Sequence, residues 1–226
     1  MTGDRPRQIA LELPLAPAQG LEDFLVSPSN ERAFHALETF PEGPERRALL
    51  IGPPGSGKSH LAAILAERLA ARITPAAALD EAALPGLVSG GALIVEDADR
   101  IGPRETELFH LLNMAREEGT TLLLTARTTP DHCGVRLPDL LSRLRQLPIL
   151  TIEEPDAALL RAVIVKHFVD RQLAIDTSVV DYLARHIDRS LEAARDVVAR
   201  LDQESLAQGR RVTRALAAAI VGQSES

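Results

Sequence analysis

The chain of 226 residues has no tryptophan, one tyrosine and five phenylalanines, so an aromatic platform for stacking unpaired bases is an unfavourable reading of it. A lone cysteine, Cys133, excludes an intramolecular disulfide and any cysteine-based metal site, which suits a reducing cytoplasm. The six histidines are scattered, and none shows H-E-x-x-H or another spacing that argues for zinc. Apolar runs reach only about the length of a strand before a charge breaks them, far short of the roughly 20 residues that span a bilayer. Asp4 precedes any apolar stretch, so neither a signal peptide nor a membrane helix is expected. Basic residues are in deficit as well. The 25 Lys and Arg face 32 Asp and Glu, and the net charge of −7 argues against broad, charge-driven binding to DNA.

Glycine and apolar residues, by contrast, are placed where they carry information. Gly52-Pro53-Pro54-Gly55-Ser56-Gly57-Lys58-Ser59 fits the pattern G-x-x-x-x-G-K-[ST], and its flanks are the required ones. Arg47-Ala48-Leu49-Leu50-Ile51 reads as a buried strand, and His60 to Ala71 as a helix with Leu61, Ile64, Leu65 and Leu69 on one face. The glycines allow a tight loop whose backbone N–H groups turn inward, and the helix N-terminus adds partial positive charge where phosphates sit. This is a loop for a nucleoside triphosphate, with Lys58 reaching the β and γ phosphates, Ser59 on Mg²⁺ and His60 opening the helix beside them.

The organisation around the loop is that of an α/β protein with a helical appendix. Residues 1–20 hold Pro6, Pro14 and Pro17 without helical periodicity and read as an extended peptide. A core domain is expected over 21–154. It starts with a helix from about Ser29 to Phe40 and a loop over Pro41 to Glu45, before the phosphate-binding unit. Residues 72–91 suggest only a short strand and a turn. Ala92 to Val95, Thr120 to Thr125 and Ile149 to Ile152 are further core strands, separated by helices over about Glu105–Glu118 and Pro138–Gln146. Beyond Pro155 the pattern becomes helical only, over about 156–171, 178–186, 190–208 and 213–221, with Asp156 a capping candidate, so 155–226 reads as a second, helical domain.

Chemistry-bearing residues gather at the strand ends. Glu96 and Asp97 follow an apolar strand, at the carboxyl edge where open α/β sheets hold ligands. One of the pair can serve the Mg²⁺ shell while its neighbour orients the attacking water, and the sequence leaves open which does which. Thr125 ends the next strand, where a hydroxyl can sense the γ-phosphate. Arg143 and Arg189 are candidates for a finger presented to a neighbouring subunit and for a contact from the helical lobe to phosphate.

On these residues the chain resembles AAA+ ATPases of the DnaA-related group: the phosphate loop, the strand end Leu93-Ile94-Val95-Glu96-Asp97, and Ser142-Arg143-Leu144 after Pro138-Asp139-Leu140-Leu141. Arg189-Ser190-Leu191-Glu192-Ala193-Ala194 is similar to the family's second-sensor helix, which assigns Arg189 to that role. The group tends to carry an aspartate soon after the third core strand, and Thr125-Ala126-Arg127 lacks it. The resemblance implies a P-loop AAA+ core, a parallel sheet flanked by helices, with a C-terminal α-helical lid. Its cofactors would be ATP or ADP with Mg²⁺ held by Ser59, Glu96 and Asp97 through the nucleotide.

Two further features narrow the group. DnaA initiators continue into a helix-turn-helix domain, whereas this sequence ends at Ser226 after the lid helices. Gln8-Ile9-Ala10-Leu11-Glu12-Leu13-Pro14-Leu15 resembles the peptides that dock on the replicative sliding clamp. There, Gln8 would supply hydrogen bonds, Ile9, Leu11, Leu13 and Leu15 would fill a groove, and Pro14 would limit the entropy lost. The combination resembles Hda-type regulators, which implies a negative regulator of replication initiation. Held on the DNA-loaded clamp (the polymerase β subunit), it would meet ATP-bound DnaA and promote hydrolysis there, with Arg143 the finger in trans and its own ATPase weak. A homo-oligomer stays open, and sequence-specific DNA binding and membrane contact are not expected. The rival readings are a DNA-binding helicase loader or initiator-like module, and a self-sufficient ATPase or kinase.

Overall fold

The computed structural model describes residues 24–43 and 45–222. They fall into two compact units that divide between Glu154 and Pro155. In the first, five parallel strands form one sheet: β1 (Arg47–Ile51), β2 (Arg72–Pro75), β3 (Ala92–Glu96), β4 (Thr121–Ala126) and β5 (Ile149–Thr151), in the order β2-β3-β4-β1-β5. The three central strands read as near-continuous apolar runs because both of their faces are covered. The alternation of side chains sorts them. Leu49, Ile51, Leu93, Val95, Leu122 and Leu124 enter one core, while Ala48, Leu50, Ile94 and Leu123 enter the other.

The first of these cores is closed by α3 (Leu84–Val88), α4 (Glu105–Glu117) and α5 (Pro138–Arg145), through Leu84, Leu87, Leu108, Leu111, Leu112, Leu140 and Leu144. The second is closed by α1 (Glu31–Thr39) and α2 (Lys58–Leu69), through Ala33, Leu37, Leu61, Ala62 and Leu65. Burying each leucine contributes roughly 1.5–3 kcal/mol. This is the α/β fold expected, a parallel sheet between helical layers.

The local differences from the sequence reading have plain causes. Helix α2 begins at Lys58 rather than His60, because Gly57 takes φ of 102° as its N-cap and lets the helix start directly on the loop. It ends at Leu69 because Ala70 turns left-handed with φ of 50°, and the Ala71 N–H closes back on Ala66 O at 2.8 Å. Residues 72–91 hold the expected strand, β2, at the sheet edge, and also the short helix α3. Pro85 and Gly86 hide this helix from a periodicity argument; burial of Leu84, Leu87 and Val88 forms it.

The second unit contains α6 (Ala157–Asp170), α7 (Thr177–His186), α8 (Leu191–Gln208) and α9 (Arg214–Gly222) around a core of Leu160, Ile164, Phe168, Val179, Leu183, Val198, Leu201 and Ala217. Three of these helices are capped by side chains: Asp156, the candidate read from the sequence, and also Asp176 and Ser190 accept bonds from the first-turn N–H groups. No described helix is long and apolar enough to cross a membrane.

Candidate phosphate-binding site

Parallel register puts the carboxyl ends of β1, β3 and β4 at one edge of the sheet, and the loop Gly52–Gly57 leaves β1 there. The Gly52 N–H donates to Ala126 O at 3.3 Å, tying the start of the loop to the end of β4. Gly55 and Gly57 lie in the left-handed region at φ of 67° and 102°, which a side chain would strain. Gly52 is glycine for a different reason. A Cβ there would lie 2.6 Å from Ile152 O and 2.9 Å from Ser56 Oγ, so only hydrogen fits.

Lys58 is the first residue of α2 and only 9% exposed. Its Nζ donates to Gly52 O at 2.7 Å and to Pro53 O at 2.9 Å, so the ammonium is folded onto the loop's own carbonyls. Burial pushes its pKa down, Asp97 and Asp99 pull it up in turn, and Arg127 adds to the lowering. Ser59 stands exposed in the first turn of α2. The His60 ring packs edge-on against Phe24, centroids 5.3 Å apart, so this side chain takes part in fixing the segment before α1 to the helix that carries the loop.

The acidic pair emerges where the sequence placed it. Glu96 ends β3, half-buried, and Asp97 turns left-handed with φ of 54°. The Asp97 N–H donates to Thr125 Oγ1 at 3.1 Å. Thr125, 2% exposed, thus braces the acidic turn across the β3–β4 pair. Two participants were missed by sequence reasoning. The carboxylate of Asp99 accepts the Arg127 N–H at 3.1 Å, and Arg127 Nε lies 4.0 Å from its second oxygen. No local spacing links Asp99 to a residue 28 positions on.

The loop fits a chain of phosphates. Ser56 Oγ is buried and has no hydrogen-bond partner among the described residues, an unmet polar atom inside a loop that runs straight into the N-terminus of α2. The donor set also fits Mg²⁺ held in part by the nucleotide: a hydroxyl at Ser59 and carboxylates at Glu96 and Asp97, all oxygen. Among the described residues no three His, Cys, Asp or Glu side chains cluster as a metal site on their own.

The other predicted residues lie elsewhere. Arg143 is half-buried in the last turn of α5, at the opposite edge of the sheet from the loop. Arg189 is exposed in the second unit, one residue before Ser190, the N-cap of α8. It therefore lies just outside the helix, which the sequence reading places over about 190–208. Gln8, Ile9, Leu11, Leu13, Pro14 and Leu15 lie outside the described residues.

Residues 157–218 match the family described as "Hda, lid domain". No curated protein matches the sequence. Among solved structures, domain III of the Thermotoga maritima replication initiation protein DnaA has a TM-score of 0.78 at 20% identity, covering 93% of this chain and 98% of that one. AMPPCP-bound DnaA from Aquifex aeolicus gives 0.67 at 20% identity over 85% of this chain and 67% of that one. The Thermotoga maritima RuvB Holliday junction branch migration motor gives 0.71 at 19% identity over 91% and 72%. The fold is therefore that of domain III of DnaA and of the RuvB motor, and the match to the Hda lid domain is confined to residues 157–218.

Proposed function

We propose, with a lid of the Hda type and a DnaA-like AAA+ core as the premise, that this protein is a nucleotide-binding regulator of replication initiation that promotes hydrolysis of ATP held by DnaA. The observation that carries the reading is the Hda lid match over 157–218 in a chain that also has an intact phosphate loop. Expected boundaries are a docking peptide over 1–20, the core over 21–154 and the lid over 155–226.

ATP or ADP with Mg²⁺ would supply a multiply charged ligand that ties the loop to neighbouring elements. The residues' own parts follow from their positions. The loop N–H groups and Ser56 Oγ would hold phosphate oxygens. Lys58, now on the carbonyls of Gly52 and Pro53, would turn to phosphate, which would compensate its burial. Ser59 would hold the cation together with Glu96 and Asp97, the latter braced by Thr125. Arg189 would report nucleotide state from the lid. Thr125-Ala126-Arg127 lacks the aspartate that the related ATPases tend to carry soon after the third core strand. The reading therefore includes a slow intrinsic ATPase, the main chemistry occurring in DnaA with Arg143 as the finger. Residues 8–15 would hold the protein on the sliding clamp, and the protein would work in the cytoplasm.

The test follows ADP appearing on DnaA preloaded with ATP, with and without this protein and DNA-loaded clamp. Acceleration that needs the clamp and is abolished by Arg143→Ala and by Gln8→Ala is expected. No acceleration under any condition would overturn the regulatory reading and leave the nucleotide-binding fold.

A further inference from the structure

We propose that a polar cavity at the amino-terminal edge of the sheet is a second oxyanion site, formed by Arg47, Arg116 and Arg143, and that it receives phosphate oxygens carried by another molecule. The cavity measures about 130 Å³ and is lined by these arginines from β1, α4 and α5, together with the amides of Asn113 and Gln146. Its single acidic lining residue, Glu45, is already paired with Arg47 at 3.1 Å. For the side chains of Arg116 and Arg143, no ion pair or hydrogen bond is found among the described residues. Two uncompensated guanidinium groups therefore face one small cavity, in a chain whose net charge is −7. Like charges gathered this way repel each other unless an anion joins them. Guanidinium is the side chain whose planar fork matches phosphate oxygens, and the two amides supply neutral donors beside it.

The arrangement is held in place. The Glu105 carboxylate accepts N–H groups from Arg136 at 3.0 Å and Leu137 at 2.6 Å, fixing the chain as it enters α5. Arg145, two positions beyond Arg143, is bound to Asp131 through Nε at 2.8 Å. Arg143 is thus presented from a helix anchored at its start and on its flank.

Position decides where the anion comes from. Arg47 begins β1 and Gly52 follows its end, so the cavity and the phosphate loop are separated by the length of the strand, about 16 Å at 3.3 Å per residue. The chain's own nucleotide cannot bridge that distance. The phosphate has to arrive on another molecule, and, resting on the regulatory reading above, we assign it to the triphosphate of the nucleotide bound by DnaA. Arg47 and Arg116 then act beside the finger Arg143, sharing the charge on the terminal phosphate.

The test uses tripolyphosphate as the probe and the full chain carrying Lys58→Ala, which disables the loop as a phosphate site. Calorimetric titration should still detect binding, and adding Arg116→Ala or Arg116→Gln should weaken it about tenfold, the loss of one charge-assisted hydrogen bond. Absence of binding in the Lys58→Ala chain, or affinity unchanged by both Arg116 variants and by Arg47→Ala, would overturn the site. The DnaA assay separates the two claims. If Arg143→Ala abolishes stimulation while Arg47→Ala and Arg116→Ala retain all of it, the shared site falls and the finger stands. If the unaltered protein never stimulates but tripolyphosphate binding remains sensitive to Arg116, the regulatory reading falls and the site stands.

Discussion

His167 sits half-buried on α6, where burial pushes its pKa down, Arg171 lowers it further and Asp170 partly opposes both. Because the folded value lies below the ordinary 6.5, the unfolded chain binds more protons as pH drops beneath that value. The stability contributed by neutral His167 is complete above 6.5 and is lost as pH falls through the lowered value. Thermal unfolding followed from pH 7.5 to 5 should therefore show a midpoint that declines on acidification, with a shallower decline in His167→Gln; identical slopes would remove His167 as a cause. At the same scale Asp99 and Arg127 show what a sequence reading overlooks. Each is an ordinary charged residue in its local segment, and only the β3–β4 pairing brings the Asp99 carboxylate to the Arg127 N–H.

Elements were legible where their signals are local. The strand, loop and helix from Arg47 to Leu69 follow from an apolar run, three glycines and a helical period. The residue at the head of that loop tests its geometry. Gly52→Ala places a methyl group 2.6 Å from the backbone oxygen of Ile152, which cannot rotate away. Nucleotide affinity measured with a fluorescent ADP should fall at least about tenfold and the melting temperature should drop, since the backbone must shift to relieve the contact. Helix starts were equally readable. Asp156 accepts from the N–H groups of Ala158 and Leu159 at 2.9 and 2.8 Å, and Asp156→Ala should cost about 1 kcal/mol in a denaturant titration. Helix α3 was not readable, because Pro85 and Gly86 lower its propensity and only the pocket filled by Leu84 and Leu87 selects the helical form.

For the whole molecule, a ligand that binds only the folded state stabilises it by mass action. Saturating ADP with Mg²⁺ at a hundredfold excess over Kd should add about 2.7 kcal/mol, and Lys58→Ala should remove that gain while leaving the ligand-free melt cooperative. The net charge of −7 makes a second prediction: random duplex DNA at about 150 mM salt should show no anisotropy change at micromolar protein, since non-specific binding draws on counterion release by clustered Lys and Arg. By itself the sequence determined the features that depend on neighbours along the chain. The phosphate loop needs its glycines at fixed spacing, the buried strands need unbroken apolar runs, and the caps need an oxygen two or three residues before the N–H they accept. The tertiary structure decided what depends on neighbours in space. Parallel pairing set Thr125 under Asp97 and Arg127 beside Asp99, and the packing of α4 and α5 on one face of the sheet gathered Arg47, Arg116 and Arg143 around a single cavity. Those residues are separated by tens of positions, and the register of a sheet covered on both faces is fixed by the burial of all its strands together, which no local pattern encodes.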